Sequence, residues 1–141
     1  MTPTKKVVIV PCSGIGKSFG TVSRMAAYHV TEDDCPENTK LLPLSLLVLG
    51  DAETRSALDK SPAITLDGCQ LACATKMVRE CGGKIAKDFS ILDVFRRYRD
   101  FKPQGITELN EGGQKLAKAL AAEIDAVVDQ LTEKEKGGKL A

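Results

Sequence analysis

The sequence has almost no net charge, no long hydrophobic run and a single histidine. Lys and Arg total 20 against 19 for Asp and Glu, a balance that gives no electrostatic reason to expect nucleic acid or an anionic membrane as a partner. The expected partner is a metal ion, another small ligand or a second protein. The longest apolar stretch, Leu41 to Leu49, is interrupted by Pro43 and Ser45 and falls far short of the ~18 residues that span a bilayer. No transmembrane segment is expected. Near the N-terminus only Val7 to Val10 are consecutively apolar before Pro11, too short a run for a signal-peptide core, so the expected compartment is the cytoplasm.

What is present is 141 residues with 43% hydrophobic content, enough for one compact domain with a core and too little for two ordinary ones. There are five cysteines. An odd number in a reducing compartment argues against a disulfide framework and for metal binding or thiol chemistry.

Strand and helix signals alternate along the chain. Lys6 to Pro11 reads as a buried strand, Lys17 to Val30 as a helix, and Lys40 to about Leu46 as a second strand or extended segment. Asp51 to Lys60 reads as a short helix, Ala63 to Leu66 as a strand, Cys69 to Cys81 as a helix and Phe89 to Val94 as a strand. Leu116, Leu120, Ile124, Val127 and Leu131 then form one apolar stripe on an amphipathic helix. The expected fold is a three-layer α/β domain of Rossmann or flavodoxin-like type with a short, mostly parallel sheet, spanning residues 1–131. Residues 132–141, rich in Lys and Glu with Gly137-Gly138, read as a flexible tail.

The chemistry concentrates at Asp67-Gly68-Cys69 with Cys73. The strand Ala63 to Leu66 is broken by Asp67-Gly68, and a helix opened at Cys69 would put Cys69 and Cys73 about 40° apart on one face, where two sulfurs can grip one metal. Gly68 removes a side chain where the backbone turns, and Asp67 is placed to cap the helix or to accept a hydrogen bond near the sulfurs. On the same helix Cys81 would lie about 12 Å from Cys73, whereas sulfurs sharing a zinc must sit within about 4 Å. Cys81 is therefore excluded and assigned to burial at the helix end, beside Gly82-Gly83.

Ligands of open parallel sheets collect beyond the carboxyl ends of the strands, at the topological switch point. Cys12 follows the first strand as Cys69 follows the third, so if those strands are neighbours three thiols converge on one rim. The loop Cys12-Ser13-Gly14-Ile15-Gly16-Lys17-Ser18 also invites phosphate readings. A P-loop needs a glycine four residues removed from Gly16-Lys17-Ser18, and that position is Pro11, which has no N–H to offer. A low-molecular-weight phosphatase loop needs Cys, five intervening residues and Arg; here Lys17 comes after four and lacks the planar fork. A closer local likeness is to the cysteine-phosphorylated components of sugar phosphotransferase systems, which would make Cys12 a phosphocarrier but leave Cys69 and Cys73 unused.

The strand ending in Cys12-Ser13-Gly14, the Leu-rich segment leading to Gly50-Asp51, and above all Ile64-Thr65-Leu66-Asp67-Gly68-Cys69 with Cys73 resemble the DGC domain family across most of the chain. That resemblance implies zinc bound by cysteines, with Cys12, Cys69 and Cys73 matching. Cys35, in the polar loop Thr31 to Asn38, is the candidate fourth ligand. His29, Ser45 or a water in an open three-thiolate site are the alternatives. An iron–sulfur cluster is the alternative occupant.

Three function classes follow: a metal carrier or sensor, a thiol or zinc-thiolate enzyme using Cys12 or Cys69 with Asp67 assisting, and the phosphocarrier. Arg96-Arg97-Tyr98-Arg99 with Lys102 is the only basic cluster and reads as a solvated face.

Overall fold

The computed structural model describes residues 6–12, 14 and 16–132, together with the backbone course of the last helix beyond them. Four parallel strands form one sheet: β1 (Val7–Pro11), β2 (Thr39–Leu41), β3 (Ala63–Asp67) and β4 (Ile85–Ser90), in the order β2-β1-β3-β4. The helices are α1 (Ser18–Tyr28), α2 (Leu44–Leu49), α3 (Ala52–Lys60), α4 (Cys73–Glu80), α5 (Ile91–Arg97) and α6 (Glu111–Leu140). This is the expected three-layer α/β fold, its sheet parallel throughout.

The central strands are apolar on both faces because helices cover both. Val7 and Ile9 of β1, with Ile64 and Leu66 of β3, point into a core shared with Val22 of α1, Val94 of α5 and the α6 stripe Leu116, Leu120, Ile124 and Val128. Val8 and Val10 point the other way, onto Leu44 and Leu47 of α2, Leu58 of α3 and Val78 of α4. Such double burial turns an alternating strand pattern into a continuous apolar run.

Chain direction locates the switch point. From β1 the chain crosses through α1 on one face to β2, then returns through α2 and α3 on the other face to β3, which lies on the far side of β1. The loops leaving β1 and β3 therefore diverge to opposite faces of the sheet, opening a crevice at their carboxyl ends.

Four expected boundaries are corrected. The segment Lys40 to Leu46 is strand only through Leu41 and then enters α2, because Pro43 supplies the extended residue that precedes a helix start. The strand expected at Phe89 to Val94 is the end of β4 followed by α5, so the apolar spacing of Ile91, Val94 and Phe95 is helical. The first half of the loop Thr31 to Asn38 belongs to a π-helical turn, His29–Asp34, that continues α1. The helix expected to open at Cys69 opens at Cys73.

The basic cluster ends α5, where Arg96 pairs with Asp93 at 3.2 Å and Arg97 ties α5 to α6 through Glu123 at 2.8 Å. Beyond Thr132 the flexible-tail reading falls on residues whose side chains lie outside the described set, although the α6 backbone runs on to Leu140. No helix among the described residues is long and apolar enough to cross a membrane.

Candidate functional site

The site is built on the β1–β3 pair. Pro11 lies opposite Leu66, and the Cys12 N–H donates to the Leu66 carbonyl at 2.8 Å, so both strands deliver their next residues to the same rim. Cys12 is buried. Its Sγ accepts from the Gly68 N–H at 3.3 Å and sits 3.4 Å from Ser23 Oγ on α1. Because the Ser23 hydroxyl donates to the Gly20 carbonyl at 2.7 Å, the thiol is the donor of the Cys12–Ser23 pair. Outer hydrogen bonds of this kind fix the direction in which a sulfur presents itself to a ligand.

Three glycines make that approach possible. A Cβ on Gly68 would meet Gly20 N at 2.9 Å and Phe19 C at 3.0 Å, and one on Gly20 would meet Gly14 Cα at 2.2 Å. The loop after β1, the first turn of α1 and the loop after β3 therefore touch backbone to backbone. Any side chain there would hold Cys69 and Cys73 away from Cys12.

Asp67 caps α4. Its buried carboxylate accepts from the Ala74 N–H at 2.8 Å, the Thr75 N–H at 3.3 Å and the Thr75 hydroxyl at 2.6 Å, satisfying donors at the first turn of α4. Residues 69–72 form the intervening turn, closed by Ala72 N–H to Cys69 C=O at 3.2 Å and by Ala72 in the left-handed region at φ 51°. This turn, and not one helix face, brings Cys69 and Cys73 together.

The result is a cavity of about 120 Å³ lined by Cys12, Cys69 and Cys73, with Gly14, Lys17, Gly20, Leu44 and Gly68 around them. Cys69 is half-buried and Cys73 exposed. Among the described residues no three His, Cys, Asp or Glu side chains stand close enough together, as placed, to hold a metal ion. The three sulfurs share a cavity; closing on one ion requires them to turn inward.

Cys35 is not brought to this rim. Val7, at the start of β1, lies opposite Thr39, and its N–H donates to the Asn38 carbonyl at 2.8 Å, so Cys35 belongs to the amino end of the sheet. Cys12 is five residues further along β1 than Val7, about 16 Å at the rise of a strand. Cys35 Sγ instead donates to Asp125 Oδ1 at 3.6 Å. Burial, then the Asp125 charge, pushes its thiol up to about 11. The other candidates divide. His29 pairs with Asp33 at 3.4 Å beyond the last turn of α1, which runs away from the rim. Ser45 stays on the rim, lining a second cavity that also includes Cys12. Cys81 sits at the C-terminal cap of α4, where Arg55 donates to its sulfur at 3.8 Å.

Two residues of the site escaped sequence reasoning. Gly20 carried a signal: a glycine inside an amphipathic helix is costly unless something must come close. Ser23 carried none, since a buried serine reads from sequence as an ordinary polar helix residue.

No curated protein and no solved structure matches the chain. The DGC domain family matches residues 8–131, which takes in both strands of the site, the three glycines and all three cysteines of the cavity. The chain belongs to the DGC domain family.

Proposed function

We propose that the chain binds zinc through Cys12, Cys69 and Cys73, with the fourth position left to water or an exchanging ligand, and that it carries or senses the metal. The observation that carries this reading is the single cavity lined by three cysteines from two loops, with no carboxylate among the described residues of its wall. A set of soft sulfur donors selects thiophilic metals over Mg²⁺ or Ca²⁺. Four-cysteine iron–sulfur ligation needs a fourth sulfur, and Cys35 is at the other end of the sheet, which favours zinc over a cluster. Three protein ligands and one open position is the arrangement of zinc sites that exchange ligands. The exposure of Cys73 gives the ion a route in and out.

The test is metal content by elemental analysis of the purified chain and its single Cys→Ser variants. The expected result is about one zinc per chain, lost in C12S, C69S and C73S and kept in C35S and C81S. Absence of zinc from the parent chain, or its loss in C35S, would overturn the reading. Absorption near 400 nm with iron and acid-labile sulfide would replace zinc by a cluster.

A further inference from the structure

The turn between β3 and α4 is anchored at both ends and open in the middle. On one side Gly68 gives its N–H to the Cys12 sulfur and packs on the Gly20 backbone. On the other the Asp67 carboxylate holds the Ala74 and Thr75 N–H groups of α4. Between these anchors Gln70, Leu71 and Cys73 are exposed, and Cys69 and Ala72 are half-buried. A segment with so little buried side chain can shift without disturbing the core. Of its five residues, Cys69 and Cys73 are the two that line the 120 Å³ cavity.

The three thiols of that cavity differ in access. Cys12 is 7% exposed, its sulfur accepting from the Gly68 N–H and its thiol donating to Ser23. Cys73 is exposed. Thiol–disulfide exchange requires one sulfur to reach another directly, so a small disulfide in solution meets Cys73 first. Cys69 shares both the turn and the cavity wall with it.

We propose that Cys69 and Cys73 are a reversible oxidation site, forming a disulfide with each other by exchange with low-molecular-weight disulfides of the glutathione type. The Cys73 sulfur attacks one sulfur of the reagent; a mixed disulfide forms, the reagent's S–S bond breaks and one small thiol leaves. The Cys69 sulfur then attacks the Cys73 sulfur, the protein disulfide closes and the second small thiol leaves. The two protein thiols are oxidised, the reagent is reduced to two thiols, and the two thiol protons end on those products. Cys12 stays reduced, the one free thiol left in the cavity wall. This inference does not rest on zinc: it uses two sulfurs on one turn and the difference in access between them and Cys12.

The test is oxidation of the full chain, freed of metal by a chelator, in buffers of reduced and oxidised glutathione, followed by alkylation of the remaining thiols and peptide mass spectrometry. Trypsin leaves Cys69 and Cys73 together on peptide 61–76 and Cys12 on peptide 7–17, so the pairings separate by mass. The expected product is peptide 61–76 without alkyl label or glutathione and lighter by two hydrogens, with Cys12, Cys35 and Cys81 labelled. At fixed reduced glutathione, half-oxidation should need at least about tenfold less oxidised glutathione than half-conversion of Cys73 to its mixed disulfide in C69S, because ring closure is intramolecular. The parent chain unfolded in urea should need about tenfold more than the folded chain, since the turn no longer holds both sulfurs on one wall. Cross-linked peptides joining Cys12 to Cys69 or Cys73, glutathione retained on Cys73 of the parent chain, or equal oxidant demand in the folded and unfolded chains would overturn the site.

Discussion

Replacing Gly20 by Ala sets two effects of opposite sign against each other. Inside a helix Ala is better than Gly by about 1 kcal/mol, an upper limit for Gly20 in the first turn of α1, so propensity alone calls for a chain no less stable. The new Cβ, however, would stand 2.2 Å from Gly14 Cα and 2.3 Å from Gly14 O, and both obstacles are backbone. Carbon atoms in contact sit about 3.5–4.0 Å apart, so the loop after β1 must move by about 1.5 Å. Overpacking of this kind costs about 1–3 kcal/mol, and the upper half applies because no flexible side chain can give way. The net expectation is a loss of about 1–2 kcal/mol, a fall in Tm of about 3–8 °C for a domain of this size. The displaced loop carries Cys12, so its alkylation by a neutral thiol reagent should speed up as well. Gly16→Ala is the control: its φ is +85° with no atom within 4 Å, so only conformational strain of about 1 kcal/mol applies and Cys12 reactivity stays near that of the parent. Differential scanning calorimetry and peptide-resolved labelling read both quantities. A G20A chain as stable as the parent or more so, with Cys12 no more reactive, would refute the close approach on which the site is built.

Asp67→Ala removes three accepted hydrogen bonds and leaves the α4 donors without their cap, a loss of about 2–3 kcal/mol by thermal or urea unfolding; a change under about 0.5 kcal/mol would remove the capping role. Ala72→Gly relieves left-handed strain of about 1–2 kcal/mol against a glycine entropy cost of about 0.5–1, so the variant should be more stable by roughly 0.5–1 kcal/mol, and a destabilised variant would contradict the turn. The Asp125 carboxyl is pushed up to about 7 by burial and by Asp34, with Cys35 and Asp129 beside it. The folded chain therefore holds a proton that the unfolded chain has released above about pH 4, and stability should fall as pH rises from there through 7. Asp125→Asn should flatten that slope and be more stable than the parent at pH 8; urea titrations that show the same pH dependence in both chains would reject the assignment.

Most of the fold was legible because burial on both faces leaves a plain mark. Val7 to Val10 and Ala63 to Leu66 read as buried strands, and the pairing of β1 with β3 in the structure meets the condition under which Cys12 and Cys69 emerge on one rim. The failures have physical causes. Leu44 to Leu49 is short and apolar, and periodicity cannot separate a buried helix from a strand at that length. Cys69 was given to a helix because Ala72, an excellent helix former, gave no hint of its left-handed conformation. The expectation for Cys35 required its polar loop to fold over the carboxyl rim, whereas a residue that precedes a parallel strand emerges at the amino end. Its own contacts, with Asp125 ninety residues away, are tertiary and carry no local signal.

The three residues Asp67, Gly68 and Cys69 divide the work of the motif, and only one of them is chemical. Asp67 ties the end of β3 to the start of α4 and so fixes where Cys73 begins its helix. Gly68 gives its N–H to the Cys12 sulfur and its missing side chain to the contact with Gly20. Cys69 brings a thiol to the cavity wall that Gly68 shares. The Asp67 carboxylate is engaged by three donors of α4, a commitment that gives it a capping role whatever chemistry the thiols perform. Among the described residues the one ionisable side chain in the cavity wall besides the cysteines is Lys17. What the two glycine-packed loops do bring to one cavity is three cysteines, which is the arrangement the proposed metal site draws on.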